Sequence, residues 1–385
     1  MFIFKLLLRN AFRHRLRTAL TIVGLVVAVS AFGLLRTLIG AWYAGVEASS
    51  STRLVTRSAV SLTFSLPISY AQRMKAVDGV DSVSWANWFG GIYQSERNFF
   101  PQFAVEPASY LKLYPEYVLS EAEKLAFLKD RQGAIVGRKL ADKFGWKVGD
   151  QIPIRGTIYP GTWTFNLRGI WDGAQKNTDE SQMLFHYAYI NEFIRKRAPA
   201  RADNTGAFIL GINSPQDAAL IAQRVDAEFK NSLAETLTET EAAFQLSFVS
   251  MSEAILVAIE AVSFIIIVII MAVMANTMTM TARERLAEYA TLKALGFSPG
   301  FVVKLLFGES LLICLIGGLL GIALTIPAVR AVGGALGSFL PVFEISPLTL
   351  SMQLGAALIV GLIAAAWPAW KMSHIDIVQG LRNVA

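Results

Sequence analysis

Four long apolar segments limit what this 385-residue chain can fold into. They run from Ala19 to Ile39, from Ala261 to Met280, from Leu305 to Ile326 and from Leu350 to Trp367. A helix needs about 20 largely apolar residues to cross about 30 Å of hydrocarbon. With 54% hydrophobic and 17% charged residues, the chain is also too apolar for an ordinary soluble protein of this size. The sequence therefore predicts an α-helical membrane protein with four transmembrane helices.

A long polar region separates the first two apolar segments, and its length of about 220 residues is enough for one or two folded domains. Apolar alternation with β-branched and aromatic residues predicts strands in it, and longer amphipathic patterns predict helices. The predicted strands are Val80–Ala86, Phe103–Val105, Ala134–Val136, Gln151–Arg155, Trp163–Ile170, Met183–Ile190 and Ala207–Ile212; the predicted helices are Ile68–Val77, Gly137–Trp146 and Ser214–Phe229. The region is therefore expected to be a mixed α/β domain. The flanking stretches Gly45–Leu66 and Ser232–Ala258 are predicted to extend the first two spans as helical stalks.

Basic residues orient the chain in the membrane. Lys and Arg are concentrated before the first span, between the second and third spans and after the fourth. Short cytoplasmic loops carry an excess of these residues, so both termini are expected in the cytoplasm and the large domain outside it. The net charge of +6 is thus assigned to membrane topology, and no nucleic-acid partner is expected.

These observations divide the chain into nine segments. The first span is longer than the apolar core of a usual signal peptide and is interpreted as a retained anchor. The predicted segments are an amphipathic cytoplasmic helix (1–17), the first span (18–40), stalk helices with the external α/β domain (41–258), the second span (259–281), a cytoplasmic helical loop (282–304), the third span (305–327), a short external loop (328–348), the fourth span (349–368) and a cytoplasmic tail (369–385).

The chain carries no recognisable signature of catalysis. No Gly-x-x-x-x-Gly-Lys-Ser/Thr phosphate loop occurs, so any ATP energy is expected from another polypeptide. The three histidines are too widely scattered to suggest a local metal cluster, and the single cysteine permits no intrachain disulfide. We therefore expect neither an enzyme nor a bound cofactor in this chain.

The loop after the second span has the clearest local pattern. Its polar start, Arg283 to Arg285, is followed by Leu286, Tyr289 and Lys293 at three- and four-residue spacing. Gly296 then supplies a helix stop, and Ser298-Pro299 can start the next helix. This pattern predicts a helix–glycine–helix corner at the membrane surface. From the residues alone, the corner is either a docking element or a simple connector.

Two further pairs carry predictions within the membrane. Gly317 and Gly321 have the Gly-x-x-x-Gly spacing that lets another helix approach closely, either in the same chain or in a second copy. Arg36 and Glu260 stand near the outer ends of the first two spans. Because unpaired charge is costly there, we expect them to pair; separate snorkelling to the headgroups is the alternative.

The order of these motifs resembles the MacB/FtsX-like family of ABC transporter permeases, which includes the lipoprotein-releasing permeases. The resemblance in the membrane segments rests on Asn276, Arg283 to Arg285, Glu288-Tyr289, Leu292 to Gly296, Glu309, Gly317 to Gly321, Pro368 to Lys371 and Leu381-Arg382. The resemblance in the external region, to the MacB-type periplasmic domain, rests on Ala134 to Asp150 and Phe165 to Ile170.

This resemblance implies a stand-alone permease without a fused ATPase domain in the bacterial inner membrane, with the large domain in the periplasm. Two copies would pair with two cytoplasmic ATPase subunits, which would hold the ATP and Mg. ATP-driven movement would reach the periplasm through the stalks. Membrane lipids, a periplasmic adaptor and an outer-membrane channel are the other implied partners. The residues that would contact the ATPase are Arg283, Glu284, Glu288, Tyr289, Leu292 and Lys293.

Two functions follow from the resemblance. One is export or extraction of an apolar or amphiphilic substrate such as a lipid, lipoprotein, peptide or drug. The other is an FtsX-like regulator that transmits ATPase motion to periplasmic cell-wall hydrolases. An external cluster of aromatic residues suits a greasy substrate, a protein docking site or simple core packing. It comprises Trp85, Trp88, Phe89, Tyr93, Phe99 and Phe100.

Overall fold

The computed structural model describes residues 2–336 and 342–375. The described residues form two compact units. The helical unit lies within 2–40, 253–335 and 343–375, and the α/β unit comprises 41–252 with 336 and 342.

The helices are numbered in chain order. They are α1 Phe2–Ala11, α2 Arg15–Ala48, α3 Tyr70–Lys75, α4 Pro107–Leu113, α5 Glu121–Lys129, α6 Arg138–Phe144, α7 Tyr187–Arg197, α8 Ala218–Glu228, α9 Glu241–Ser250, α10 Glu253–Glu284, α11 Leu286–Ala294, α12 Pro299–Leu336 and α13 Pro347–Ser373. Short 3-10 turns occupy Pro199–Arg201 and Pro215–Asp217.

The strands are numbered in the same way. They are β1 Arg53–Ser58, β2 Leu66–Pro67, β3 Val80–Trp88, β4 Gln102–Val105, β5 Tyr117–Val118, β6 Gly133–Gly137, β7 Gln151–Gly156, β8 Gly161–Gly173, β9 Met183–His186, β10 Asn204–Thr205, β11 Ala207–Ile212 and β12 Thr236–Thr240.

Among the described residues, four helices are long and apolar enough to cross a membrane, namely α2, α10, α12 and α13. The predicted architecture of four spanning helices with a large mixed α/β domain between the first two is confirmed. The helices extend beyond the predicted spans at several ends. In particular, α2 begins at Arg15 and α10 continues to Glu284, because the polar residues that flank each apolar span are also helical.

Glycines set the closest helix contacts in the helical unit. A Cβ atom added at Gly317 would lie 2.7 Å from the Cβ of Leu25, and one at Gly321 would lie 2.7 Å from the Cβ of Val29. Such distances are shorter than real Cβ contacts, so both glycines allow α12 to pack directly on α2 of the same chain. The hydroxyl of Ser30 also donates to the carbonyl of Gly321 at 2.9 Å.

A polar contact joins three of the spanning helices. The side-chain amide of Gln353 on α13 donates to the carbonyl of Val29 on α2 at 2.9 Å and to the hydroxyl of Thr325 on α12 at 2.8 Å. Gln353 is fully buried, and its amide lies where a side chain at Gly33 would have to go. Hydrogen bonds in an apolar bundle hold a specific register, because the alternative is an unsatisfied polar group.

The α/β unit is built on a ten-stranded sheet. Nine of its strands follow the order β12-β1-β11-β3-β4-β9-β6-β8-β5, and the tenth, β7, pairs with β8. The β4–β9 and β6–β8 pairs are parallel, and the other pairs are antiparallel. One core packs α3 and α8 on the β1–β11 side, with Leu54, Phe208 and Val225 fully buried. Another lies around β6 to β9, with Phe165 and Phe185 fully buried.

The predicted helical stalks are wrong in part: the first is interrupted by a strand, and the second is helical only from Glu241 onwards. Within Gly45–Leu66 the helix α2 ends at Ala48 and the chain enters β1, and within Ser232–Ala258 it forms β12 before α9 begins. β1 and β12 are antiparallel neighbours, with Leu54 opposite Thr240. β1 contains Val55 and Thr56, and three of the five residues of β12 are Thr; such branched side chains favour strands.

One predicted strand is too long. The strand predicted over Met183–Ile190 ends at His186, and Tyr187 starts α7. Tyr187 and Ile190, one helical turn apart, are both buried in that helix. The residue types favour strand, but their three-residue spacing fits a helix packed on the core.

Candidate functional site

The corner between α10 and α12 is formed by the short helix α11, which has a well-defined C-terminal end. Gly296 ends α11 with a φ of 90°, and its N–H donates to the carbonyl of Lys293 at 3.0 Å. The N–H of Phe297 donates to the carbonyl of Leu292 at 3.1 Å. This pair of bonds is a Schellman motif, which satisfies the last carbonyls of a helix and requires a left-handed residue at its end.

Arg285 links the corner to α12. Its side chain is only 8% exposed, and its Nη1 donates to an oxygen of Glu309 at 2.7 Å. Its Nε donates to an oxygen of Glu288 at 2.9 Å, and its guanidinium lies 5.1 Å from the ring centroid of Tyr289. Arg285 therefore connects the short helix α11 with a nearly inaccessible carboxylate, since the side chain of Glu309 is 2% exposed.

The N-terminal segment holds the same corner from the other side. Arg13 donates to Glu288, and Arg17 forms two hydrogen bonds with Glu284, of 2.6 and 2.8 Å. Burial would raise the pKa of Glu288, but hydrogen bonds from Arg13 and Arg285 outweigh burial and lower it. Glu288 is therefore ionised at neutral pH, and the junction of α1 and α2 is tied by ion pairs to α11 and to the end of α10.

The end of α13 makes a third connection. The ammonium of Lys293 donates to the carbonyls of Ser373 at 2.8 Å and Ile375 at 3.0 Å. Tyr289 is 2% exposed, and Leu292 is half-buried against the same apolar cluster, which includes Val302 and Leu306.

The six residues predicted to contact an ATPase thus have different surroundings. Glu284, Glu288 and Lys293 are engaged with other parts of this chain, and Tyr289 and Leu292 pack inside it. Arg283 is exposed. The most exposed apolar side chains of the corner lie just beyond this set: Leu295 is 72% exposed and Phe297 is 44% exposed.

Sequence reasoning did not assign roles to several members of this network. By sequence alone, Arg13 and Arg17 belong to the basic flank of the first span, while Arg285 and Glu309 are only parts of the family motif. Glu309 carries the signal that could have identified the contact, because a carboxylate within an apolar segment needs a partner. The nearest basic residues that precede it along the chain, on the polar side of the span, are Lys304, Lys293 and Arg285.

Arg36 and Glu260, which the sequence predicts to pair near the other end of the spans, lie close together. An Nη1 of Arg36 lies 3.4 Å from an Oε1 of Glu260, with side chains 24% and 52% exposed. Within the described ranges, no group of three or more His, Cys, Asp or Glu residues is arranged to hold a metal ion.

The aromatic cluster of the α/β unit is mostly core. Phe89, Tyr93 and Phe100 are buried, whereas Trp88 and Phe99 are 39% and 40% exposed. Trp85 is partly buried against the same cores. The cluster therefore does not favour either a greasy substrate or a protein partner.

Two family models match the chain. Residues 18–228 match the MacB-like periplasmic core domain, and residues 260–377 match the C-terminal domain of FtsX-like permeases. The first match alone covers more than half of the chain.

Several known proteins are similar to this chain in sequence or in structure. An uncharacterized ABC transporter permease of Methanocaldococcus jannaschii is 23% identical over 97% of this chain and 96% of its own length. The macrolide export ATP-binding/permease protein MacB of Escherichia coli (strain K12) is 32% identical over 28% of this chain and 16% of its own length. The solved extracellular domain of the noncanonic ABC-type transporter YknZ from Gram-positive bacteria covers 49% of this chain and 100% of its own length, at 12% identity and a TM-score of 0.35.

Along the chain, the first model matches α2 and most of the α/β unit, and the second matches the chain from α10 onwards. The chain therefore belongs to the MacB/FtsX-like family of ABC transporter permeases.

Proposed function

We propose that this permease works with a separate cytoplasmic ATPase, which docks on the α10–α12 corner and drives movement of the periplasmic α/β unit. Both termini and the corner would then lie in the cytoplasm of a bacterium, at its inner membrane. The observation that carries the proposal is the corner itself, where exposed apolar side chains directly follow a short helix that is fixed by a buried ion pair.

The docking surface is the exposed end of α11. Leu295 and Phe297 leave apolar area in contact with solvent, and the ring of Phe297 packs against Phe301 at 4.9 Å between centroids. Exposed Arg283 adds a charge at the start of the corner. A corner with an exposed basic residue at its start and apolar side chains at its end suits a partner surface that combines acidic and apolar areas.

The ion pairs around α11 explain how force from a docked ATPase would reach the neighbouring helices. Glu309 and Arg285 tie α11 to α12, while Arg13 and Arg17 tie α11 and the end of α10 to the start of α2. Along the chain, α2 and α10 are the two helices that lead to the α/β unit. Force on α11 would therefore be delivered to both connections without any need for α11 to change its own fold.

The export function is the better supported of the two candidates. The model of the MacB-like periplasmic core domain covers α2 and most of the α/β unit, and a relative is named as a macrolide exporter. We therefore propose that two copies of this chain and two ATPase subunits expel an apolar or amphiphilic substrate from the periplasmic side, with an adaptor and an outer-membrane channel as further partners.

The docking proposal is tested with charge substitutions on exposed leucines. Leu292→Asp would disturb the packing of α11 itself, so Leu295→Asp is the sharper variant. Leu233→Asp, at a fully exposed leucine of the α/β unit, is the matched control. The tagged full-length chain is purified in mild detergent from its native cells, and co-purified ATPase and ATP hydrolysis are measured.

We expect Leu295→Asp to lose most of the co-purified ATPase while Leu233→Asp keeps it. Full retention of the ATPase by Leu295→Asp would contradict this docking surface. Absence of any ATPase with the unmodified chain would contradict the whole proposal.

A further inference from the structure

Arg53 occupies an unusual position in the α/β unit. It is the first residue of β1, five residues after α2 ends, and its side chain is only 6% exposed. Its Nε donates to Glu241 at 2.8 Å, and its two Nη atoms donate to the two oxygens of Glu116 at 3.1 and 2.6 Å. A further bond of 2.8 Å goes from Nη1 to the carbonyl of Leu113.

The two carboxylates that receive these bonds belong to different parts of the fold. Glu241 is the first residue of α9, which follows β12 and precedes α10 along the chain. It also accepts from the N–H of Ser50 at 2.8 Å and from the hydroxyl of Tyr114 at 3.1 Å. Glu116 lies between α4 and β5. One guanidinium therefore binds both chain connections of the unit and a third segment of its core.

The ring of Tyr114 covers one face of the guanidinium, and a stack of further aromatic rings stands behind it. The guanidinium carbon lies 4.1 Å from the ring centroid of Tyr114. Tyr114 stacks on Tyr110 at 4.4 Å and on Tyr117 at 5.4 Å, and Tyr117 continues to the buried Trp171 at 5.1 Å. In such surroundings a charge-assisted, forked hydrogen bond has a fixed geometry and is not exchanged for water.

The charge on Arg53 is strongly favoured. Burial would lower its pKa, but the hydrogen bond to Glu116 and the charge of Glu241 outweigh burial and raise it. The contact is therefore a permanent ionic connection rather than a pH-dependent one.

We propose that Arg53 is a positioning residue for transport, which makes the two chain connections of the α/β unit move as one body and passes their displacement to the α4–β5 segment. The source of the displacement rests on the proposed function, whereas the rigid connection is a property of this chain alone. Removal of Arg53 would leave the β1–β12 ladder intact but would free Glu241 and Glu116 from each other.

The same two strands supply a matched control. Arg57, four residues further along β1, pairs with Glu239 on β12 at 3.1 Å, with side chains 17% and 20% exposed. This ion pair also bridges β1 and β12, yet no bond from it to the α4–β5 segment occurs among the described contacts. A general effect of losing an arginine between these strands would appear equally in both variants.

The test is amide hydrogen exchange on the full-length chain in lipid nanodiscs, with unmodified protein, Arg53→Met, Arg53→Lys and Arg57→Met. With Arg53→Met we expect exchange at 50–53, 113–117 and 241–243 to become at least about tenfold faster, since local opening sets these rates. Exchange in β6 and β8 should not change. Arg53→Lys should restore little, because an ammonium cannot form the fork, and Arg57→Met should leave 113–117 protected.

Two results would overturn the inference. One is uniform acceleration across the sheet with Arg53→Met, which indicates only general stabilisation. The other is equal acceleration at 113–117 with Arg57→Met. Because no ATPase is needed for this experiment, its outcome is independent of whether the docking proposal holds. In the complex with its ATPase, Arg53→Met should keep ATP hydrolysis within about twofold and lose transport; loss of both together would contradict a positioning role.

Discussion

Arg285 shows how one side chain can organise the corner between α10 and α12. Its guanidinium joins a carboxylate of α12, a carboxylate of α11 and the ring of Tyr289, and very little of it is exposed. Deleting one member of a buried ion pair is costly, because the remaining charge is left without a partner in a medium that solvates it poorly.

We expect Arg285→Met to lower the free energy of unfolding by about 3–5 kcal/mol because Glu309 loses its partner. Adding Glu309→Leu to that variant should recover part of the loss, since the unpaired carboxylate is removed. The measurement is denaturation of the purified chain in detergent micelles. For comparison, Arg131→Met breaks an exposed pair with Glu192 and should cost less than about 1 kcal/mol. Equal effects at the two arginines would refute this assignment.

His186 provides a pH-dependent contribution to the stability of the α/β unit. Its Nε2 lies 2.7 Å from the carbonyl of Phe127, which can only accept, so Nε2 carries the proton of the neutral ring. Burial lowers the pKa of His186 below the ordinary value of 6.5, against smaller opposing effects of this bond and of Asp130 and Glu106.

As the pH falls below 6.5, the unfolded chain therefore takes up this proton more readily than the folded chain, and stability falls. The loss is complete once the pH passes the folded pKa. We expect the melting temperature to drop more between pH 7.5 and 5.5 in the unmodified chain than in His186→Gln, which keeps a donor but does not titrate. Identical drops would show that His186 does not contribute.

At the scale of elements, the residue patterns predict the apolar spans and most of the strand positions. β3, β6, β7 and β11 lie where the residue pattern predicts them; β7 buries alternate residues, whereas all of β6 and nearly all of β11 are buried. The predicted stalks fail at β1 and β12 because these two strands pair with each other. They lie far apart along the chain, so local sequence does not indicate the pairing. The helix α5 was missed, although Ser120 and Glu123 form a capping box that signals a helix start.

In the candidate site, too, local features can be predicted from the sequence and long-range contacts cannot. The corner and its glycine stop follow from local spacing. The ion pairs of Arg13 and Arg17 with α11 and α10 do not, because they join residues more than 260 positions apart. Contacts of this kind depend on how helices pack, and a single sequence does not display them.

Gly296 is the element-scale position most sensitive to substitution. Its φ of 90° is strained for any residue with a side chain, although open space surrounds it. We expect Gly296→Ala to destabilise α11 by about 1 kcal/mol, and Gly296→Asn to be milder because Asn tolerates this conformation. Helix opening is read from amide exchange at 292–297. Unchanged exchange in Gly296→Ala would contradict the Schellman end.

At the scale of the whole molecule, the topology can be tested with cysteines. Cys314, the one native cysteine, is buried in α12 and is replaced by Ala in the background. We expect Leu233→Cys to react with a membrane-impermeant maleimide in intact spheroplasts, and Leu295→Cys to react only after permeabilisation, because both side chains are well exposed. The reverse pattern would invert the proposed orientation.

The two units also differ in what holds them together. The α/β unit has cores of large aromatic and aliphatic side chains around a broad sheet, whereas the helical unit relies on glycine contacts, a buried glutamine and ion pairs at its polar corner. In a lipid environment the hydrophobic effect between helices is weak, so close approach and internal hydrogen bonds determine the register.

The close contact between Gly33 and Gln353 has a consequence for how this bundle can change over generations. Any side chain at Gly33 would meet the amide of Gln353, so Gly33→Ala is harmful while the glutamine is present. If Gln353 is shortened first, the shortest of these contacts is removed, and the alanine then has to displace only slightly the methyl group of Thr325, which lies 2.9 Å from the added Cβ. The two positions are therefore epistatic, and the order in which substitutions arrive decides which sequences this membrane bundle can reach.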